Sequence, residues 1–271
     1  MFGQSQGGFR LSPTILIALA MAAFTLFKYC TNSVTNDITG ETQHIALSPD
    51  QEIAMGLQSA PQMISEMGGE VRGTKADALV KAIGQKLVQQ GDAGKTVYRG
   101  DFNFHLLADN QTINAFALPG GQVFITSALL SKLENEDQLA GVIGHEIGHV
   151  VARHSAEKLA QMELAQGLTG AVTMATYDPG SPNGGYLAQV VSNMLQLKYG
   201  RDQELQADDL GVRFMMQAGY NPEQLIGVME ILKQASGPSR TPEFQSTHPD
   251  PENRKGHIQA AIQKYRGQQG K

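Results

Sequence analysis

Two histidines separated by three residues place the strongest constraint on this 271-residue chain. His145 and His149 flank Glu146, in a run from residue 137 to about residue 164 whose apolar residues recur at helical spacing. Residues four apart lie on one face of an α-helix, so both imidazoles can reach the same point in space. His154 is rotated off that face, and we predict a structural role for it. The motif therefore predicts a helix that presents two metal-ligating side chains together.

The spacing H-E-x-x-H is typical of a zinc site with a carboxylate beside it. The chain has one cysteine, Cys30, which excludes a Cys-rich zinc site. Zinc lowers the pKa of a bound water toward about 7, and a neighbouring carboxylate can take the proton as the hydroxide attacks a carbonyl. Glu146 is the candidate general base. The motif arises by chance in roughly 1% of sequences of this composition, so we predict one catalytic Zn²⁺ per chain.

A catalytic zinc needs a third protein ligand and one open position. The extended motif H-E-x-x-H-x-x-G-x-x-H is absent, because Ala152 and Ser155 stand at its glycine and histidine positions. Glu204 and Asp208 lie four residues apart on a later predicted helix. If this pair belongs to the metal site, Glu204 binds zinc and Asp208 accepts a hydrogen bond from the far nitrogen of His145. Spacing alone leaves a solvated helix face as an equal alternative.

An uncharged, mostly apolar run over residues 11–27 sets the N-terminus apart. It lies between Arg10 and Lys28 and is at the short end of the roughly 17–25 residues that cross a bilayer. An uncleaved membrane anchor over residues 1–30 fits best, because no small-residue cleavage motif follows the run. Cleavage to a soluble periplasmic protein, or a lipoprotein formed at Cys30, are the alternatives. Arg10 predicts that the N-terminus faces the cytoplasm and the remaining chain lies outside it.

The rest of the chain predicts one mainly helical α+β domain. Residues 31–47 are polar and predict a tether, the domain covers residues 48–266, and residues 267–271 form a tail. Strand-like runs between residues 102 and 126 predict a small antiparallel sheet. The Gly- and Pro-containing residues 167–185 are a candidate lid. The net charge of −5, without a basic stripe, argues against nucleic acid as a partner.

Four segments together resemble the CAAX-prenyl-protease-like family of zinc metallopeptidases. They begin at Asn114 (N-A-F-A-L-P-G-G), Leu139 (L-A-G-V-I-G-H-E-I-G-H-V), Arg201 (R-D-Q-E, followed by Asp208) and Ser246 (S-T-H-P). The resemblance covers about residues 48–265. Within the family it is to the bacterial periplasmic and mitochondrial quality-control branch, and not to the multi-span prenyl proteases.

The resemblance implies a gluzincin fold, that is, a zincin-like metallopeptidase domain with an active-site helix. It implies that the two motif histidines and Glu204 bind the zinc. It also implies that Asn114 and His248 hold an oxyanion or gate the metal, since a tetrahedral intermediate needs donors aimed at its developing negative charge. Without the family, a turn-capping asparagine and a loop histidine are the alternatives. For Arg254 the resemblance implies a structural ion pair.

The resulting functional prediction is a membrane-associated metalloendopeptidase that removes misfolded or damaged envelope proteins, with its catalytic domain in the bacterial periplasm. Its predicted partners are unfolded or misfolded proteins, the membrane through the N-terminal segment, and envelope assembly complexes. The alternative is a chaperone-like or assembly-factor protein with a latent zinc site, because His248 could occupy the open position of the metal.

Overall fold

The computed structural model describes residues 12–175, 199–235, 242–248 and 254–269. The predicted lid over residues 167–185 lies outside these ranges from residue 176 onward. Side chains of residues 169–175 are likewise outside the description.

The described residues form a mainly helical structure with two small sheets. Its helices are α1 (Pro13–Thr31), α2 (Pro49–Glu66), α3 (Lys75–Gln90), α4 (Ser127–Leu130), α5 (Glu136–Val151), α6 (His154–Ala175), α7 (Arg201–Gln217), α8 (Gln224–Ala235), α9 (Glu243–Thr247) and α10 (Arg254–Gln269), with a 3₁₀ turn at Asp92–Lys95. Its strands are β1 (Ser33–Thr35), β2 (Thr42–His44), β3 (Asn103–Leu107), β4 (Ala115–Leu118) and β5 (Gln122–Thr126). The predicted mainly helical α+β class is confirmed.

The central sheet is mixed and not antiparallel throughout. Its order is β3-β5-β4; β4 and β5 pair antiparallel, whereas β3 and β5 pair parallel. The tight turn at Gly120 and Gly121, with φ of 76° and 107°, sends β5 back between two strands that run in opposite directions. The prediction of an antiparallel sheet is therefore wrong for the pair β3–β5. Within the described residues, no strand covers the outer edge of β4.

Residues 31–47, predicted as a polar tether, are instead folded onto the domain as the hairpin β1–β2. The Asn36 and Gln43 side chains are buried. Their amides donate to the backbone carbonyls of Val151, at 2.8 Å, and Ala152, at 2.6 Å. Polar composition was misleading here because these side chains satisfy carbonyls at the C-terminal end of α5.

The single helix predicted over residues 137–164 is divided into α5 and α6. Arg153, between them, has φ of 57°, a left-handed conformation that is uncommon for a residue other than glycine. Its guanidinium group donates to the Glu52 carboxylate and, at 2.9 Å, to the Leu47 carbonyl. Helical periodicity continues on both sides of the break, so the pattern alone could not reveal it.

Helices α5 and α7 pack closely at glycines. A Cβ atom added to Gly148 of α5 would lie 2.8 Å from the carbonyl oxygen of Ala207 in α7. A Cβ atom added to Gly211 of α7 would lie 3.1 Å from the backbone nitrogen of His145. Larger residues at either position would separate the helices. This close approach brings the histidines of α5 against the carboxylates of α7.

Helix α1 contains the apolar N-terminal run. Among the described residues it is the one helix long and apolar enough, by length and composition, to cross a membrane. Ser12 caps its N-terminus, since the Ser12 hydroxyl accepts a hydrogen bond from the Ile15 amide at 3.3 Å. Outside a bilayer α1 is poorly covered, because its only buried residue is Ala18.

Candidate metal centre

Four buried side chains meet where α5 and α7 pack. They are His145, His149, Glu204 and His248, whose ligand atoms all lie within 4.8 Å of one another. Helix α5 supplies the first two, α7 supplies the glutamate, and His248 directly follows α9. In the part of the chain that the structure describes, no second group of three or more such side chains could hold a metal.

The spacing of these atoms fits a tetrahedral zinc ion. His145 Nε2 and His149 Nε2 are 3.1 Å apart. Glu204 Oε2 lies 3.5 Å from His145 Nε2, and Glu204 Oε1 lies 3.5 Å from His149 Nε2. A tetrahedron with metal–ligand bonds of about 2.0–2.1 Å separates its ligand atoms by about 3.3 Å. In addition, the buried Glu204 Oε2 makes no hydrogen bond. Donor type, spacing and the unsatisfied oxygen therefore all fit zinc.

Asp208 and Arg254 support His145 from the side away from the cluster. Asp208 Oδ1 accepts from His145 Nδ1 at 2.9 Å, and Arg254 donates to the same carboxylate from Nε at 2.6 Å and Nη2 at 2.8 Å. Burial raises the pKa of Asp208, but the Arg254 charge and these hydrogen bonds outweigh it and lower the pKa. An ionised Asp208 holds the His145 proton on Nδ1 and leaves Nε2 for a metal.

The protonation of His145 reflects the same neighbours. Burial alone lowers the pKa of His145, but hydrogen bonds and charges from Asp208 and Glu204 outweigh burial and raise that pKa to about 9. Below this pH, a second proton on the ring therefore competes with a metal ion for Nε2.

Replacing Asp208 by asparagine should weaken zinc binding by about 10- to 100-fold, the usual cost of losing an outer partner of a ligand histidine. The amide group would remove the charge that Arg254 and His145 now share. Zinc affinity can be measured by competition with a chromophoric chelator. Asp209→Asn is the matched control, because Asp209 is the next residue on α7 and pairs with Lys264 at 3.0 Å. Equal losses in the two variants would contradict the proposed support of His145.

His149 is held by a second set of neighbours. Its Nδ1 lies 2.8 Å from His154 Nδ1, and His154 Nε2 lies 2.8 Å from Gln206 Oε1. Burial lowers the pKa of His154 to about 4 and also lowers that of His149 well below its usual value. Both rings are therefore neutral; if His154 donates to Gln206, its Nδ1 accepts the proton of His149 Nδ1. That arrangement leaves His149 Nε2 for a metal.

Tyr199 is a member of the site that the sequence did not reveal. Its ring stacks on His149 with centroids 3.9 Å apart, and Lys158 Nζ lies 3.7 Å from the Tyr199 ring centroid. The Tyr199 hydroxyl lies 3.1 Å from Ser155 Oγ. A single tyrosine ahead of α7 belongs to no periodic pattern, so only the packing of α6 against the chain before α7 identifies it.

Glu146 is buried beside the cluster, and neither oxygen of its carboxylate makes a hydrogen bond. Its Oε1 lies 3.6 Å from His248 Nε2. Burial raises the pKa of Glu146, and the charges of His248 and His145 oppose this effect only in part. A buried carboxylate without a donor is unfavourable, so Glu146 is poised to accept a proton from a group that enters the cluster.

His248 and Asn114 are the two residues to which the resemblance gave an oxyanion-holding or metal-gating role. His248 Nδ1 lies 3.3 Å from His145 Nε2 and 3.0 Å from a Glu204 oxygen, where it can fill a fourth tetrahedral position. Asn114 is not among the four side chains of the cluster. It is buried just before β4, its backbone amide donates to Thr126 Oγ1, and its Oδ1 makes no hydrogen bond.

Comparison with known proteins identifies relatives over most of the chain. Residues 74–262 match the model of Peptidase family M48. The chain is 31% identical over 259 residues to the beta-barrel assembly-enhancing protease of Escherichia coli (strain K12), covering 91% of this chain and 52% of that protein. It is 28% identical over 252 residues to the mitochondrial metalloendopeptidase OMA1 of Bos taurus, covering 88% and 47%. The chain thus spans about half the length of the curated relatives it matches.

Proposed function

The chain belongs to peptidase family M48, and we propose that it is a zinc-dependent metalloendopeptidase that removes misfolded or damaged proteins of the cell envelope. The observation that carries this proposal is the buried cluster of His145, His149 and Glu204 beside the unpartnered carboxylate of Glu146. The names of its relatives, a protease and a metalloendopeptidase, agree with this chemistry.

In the proposed reaction, His145, His149 and Glu204 hold one zinc ion. The ion, when bound, polarises a carbonyl and lowers the pKa of water. Glu146 accepts the proton of the attacking water and then returns it to the leaving amine. Burial raises the pKa of Glu146, which brings its proton affinity closer to the working pH and so favours both transfers.

The outer edge of strand β4 is an argument that the substrates are unfolded chains. It lies against α5 in the sheet order β3-β5-β4, so its outer backbone groups can pair with an extended peptide. Hydrogen bonds of this kind form with the peptide backbone and therefore do not depend on the substrate sequence. A folded protein rarely has an extended segment free to pair in this way. The test is one disulfide protein supplied in native form and in reduced, alkylated form. We expect cleavage of the unfolded form alone; equal cleavage of both forms would contradict the proposal.

We place the protein at the membrane through α1, with the catalytic domain in the periplasm and envelope assembly complexes as partners. The apolar helix and the name of the Escherichia coli relative support this placement. Cleavage after α1 and lipidation of the exposed Cys30 are the alternatives. Carbonate extraction of membranes tests whether the protein is embedded in the membrane. Protease added to spheroplasts tests whether the domain lies outside the cytoplasm. Retention in the membrane with digestion of the domain is expected, and a domain protected in intact spheroplasts would contradict it.

A second function, a chaperone-like or assembly-factor protein with a latent site, is favoured by the position of His248. Its Nδ1 lies within 3.3 Å of both His145 and Glu204, so it can occupy the position that substrate needs. If His248 blocks the site, His248→Ala should cleave casein faster than the wild type. The exposed His257, replaced in the same way, is the matched control. Slower cleavage by His248→Ala would instead indicate that His248 serves the reaction.

A further inference from the structure

Helices α1 and α6 pack against each other as an antiparallel pair. Lys28 Nζ lies 2.9 Å from a Glu163 oxygen. Gly167, four residues after Glu163 on α6, lies against Thr25, three residues before Lys28 on α1. A Cβ atom added to Gly167 would lie 2.6 Å from Thr25 Oγ1. The least exposed positions of α1 include Ala18 and Ala22, so small side chains line the contact. Small side chains at a contact let the backbones of two membrane helices approach closely.

The rest of α1 exposes apolar side chains in every direction. Of the eleven large apolar side chains that are exposed in the described residues, eight belong to this helix: Ile15, Leu16, Ile17, Leu19, Met21, Phe24, Leu26 and Phe27. Three of these are consecutive, and successive residues of a helix point about 100° apart. A groove on a protein partner covers one face of a helix, whereas a lipid bilayer covers all of them. The bilayer is therefore the occupant that fits.

Helix α6 continues beside α1 as an uncharged segment. After Glu163, residues 164–177 contain no charged side chain, and α6 remains helical to Ala175. We propose that α6 enters the bilayer alongside α1, so that two helices and not one embed this protein in the membrane. The Lys28–Glu163 pair marks the boundary, since both side chains are about half exposed, at 53% and 48%. Tyr29, one residue toward the domain, suits the interface.

The lengths of the two helices agree with this placement. The 15 residues from Pro13 to Phe27 span about 22 Å, and the 12 residues from Leu164 to Ala175 span about 18 Å. Both lengths are shorter than the thickness of a hydrocarbon core, which is about 30 Å. The two helices therefore reach similar depths from the same boundary.

This geometry also fixes the height of the metal cluster above the membrane. His154, which contacts His149, precedes Glu163 by nine residues of α6, or about 14 Å. The cluster is therefore held near the bilayer surface, where it would meet unfolded segments of membrane proteins close to their anchors. This substrate class rests on the proposed peptidase function, whereas the insertion of α6 does not.

Tryptophan fluorescence can test the insertion cleanly, because the chain contains no tryptophan. The full chain would carry Leu168→Trp on α6, Leu19→Trp on α1, or Gln161→Trp, which lies on the same face of α6 two turns nearer the domain. Each variant is reconstituted in phosphatidylcholine vesicles with or without bromine on the acyl chains. Strong quenching is expected for the Leu168 and Leu19 variants and little for the Gln161 variant. An unquenched Leu168 variant would overturn the proposal, whether or not the Leu19 variant is quenched.

Ala165→Trp is a second reporter on the same segment, should Leu168→Trp fail to fold, and it should also be quenched more than Gln161→Trp.

The distance from the membrane at which the site cleaves has a separate test, in which casein is attached to vesicle lipid at one end. Wild-type cuts, mapped by mass spectrometry, should lie close to the anchor, and evenly spread cuts would overturn the inferred reach. Absence of any cut, with Leu168→Trp quenched, would count against the peptidase function and leave the insertion standing.

Discussion

Glu146→Gln is expected to reduce casein hydrolysis by about 10²- to 10⁴-fold, the usual contribution of a positioned general base. Glutamine has nearly the same shape as glutamate but cannot accept the proton of the attacking water. Because Glu146 makes no hydrogen bond to the protein, its replacement should leave the ligand histidines undisturbed. The zinc content of the variant should therefore remain at one ion per chain.

The matched control for this variant is Glu136→Gln, which changes an exposed glutamate in the first turn of the same helix. It should alter the hydrolysis rate little, since its carboxylate only complements the helix dipole. Casein hydrolysis and metal content should be measured on the same preparations. A Glu146→Gln variant that cleaves casein at the wild-type rate would rule out the proposed role of this residue, and one that loses both zinc and activity would show a structural role.

His149→Ala is expected to remove both zinc and peptidase activity. The change deletes one of three proposed protein ligands. The loss of zinc affinity should therefore exceed the loss of about 10- to 100-fold that follows from removing a hydrogen-bond partner of a ligand. It also removes the ring on which Tyr199 stacks and leaves His154 Nδ1 without its 2.8 Å contact. Zinc measured after gel filtration should fall from one ion per chain toward none.

His257→Ala is the matched control for the lost histidine, because His257 is exposed on α10 and does not belong to the cluster. Circular dichroism of both variants separates loss of metal from loss of fold. If His149→Ala retained one tightly bound zinc, the ligand set proposed for the cluster would be wrong.

Local sequence predicted those parts of the structure that depend on neighbouring residues. Ser48 and Gln51 form a capping box at the start of α2, and a fixed spacing of four puts His145 beside His149 and Glu204 beside Asp208. These relations lie within one helix, so periodicity and capping chemistry determine them. The family resemblance, which is confirmed, added the link between α5 and α7.

Features that depend on distant packing were not visible in the sequence. The parallel pairing of β3 with β5 follows from which strand occupies the centre of the sheet, not from the residues of either strand. The break at Arg153 depends on Glu52, about a hundred positions earlier in the chain. Tyr199 stacks on His149 from a position two residues before α7. Each of these contacts joins segments whose sequences carry no shared pattern.

The hairpin β1–β2 shows why composition can mislead. Residues 31–47 look like a solvated linker, yet Asn36 and Gln43 are buried because they bind carbonyl groups at the end of α5. Polar side chains in such positions stabilise the end of the helix that carries the two candidate metal-ligating histidines. The folded unit of the structure therefore extends further toward α1 than the predicted boundary at residue 48.

The most direct test of the zinc-peptidase assignment is the metal content of the purified chain, measured together with its hydrolysis of casein before and after zinc removal. One zinc per chain is predicted, with hydrolysis that stops when a chelator removes the ion and returns when zinc is restored. A metal-free chain that hydrolyses casein at the original rate would contradict the assignment.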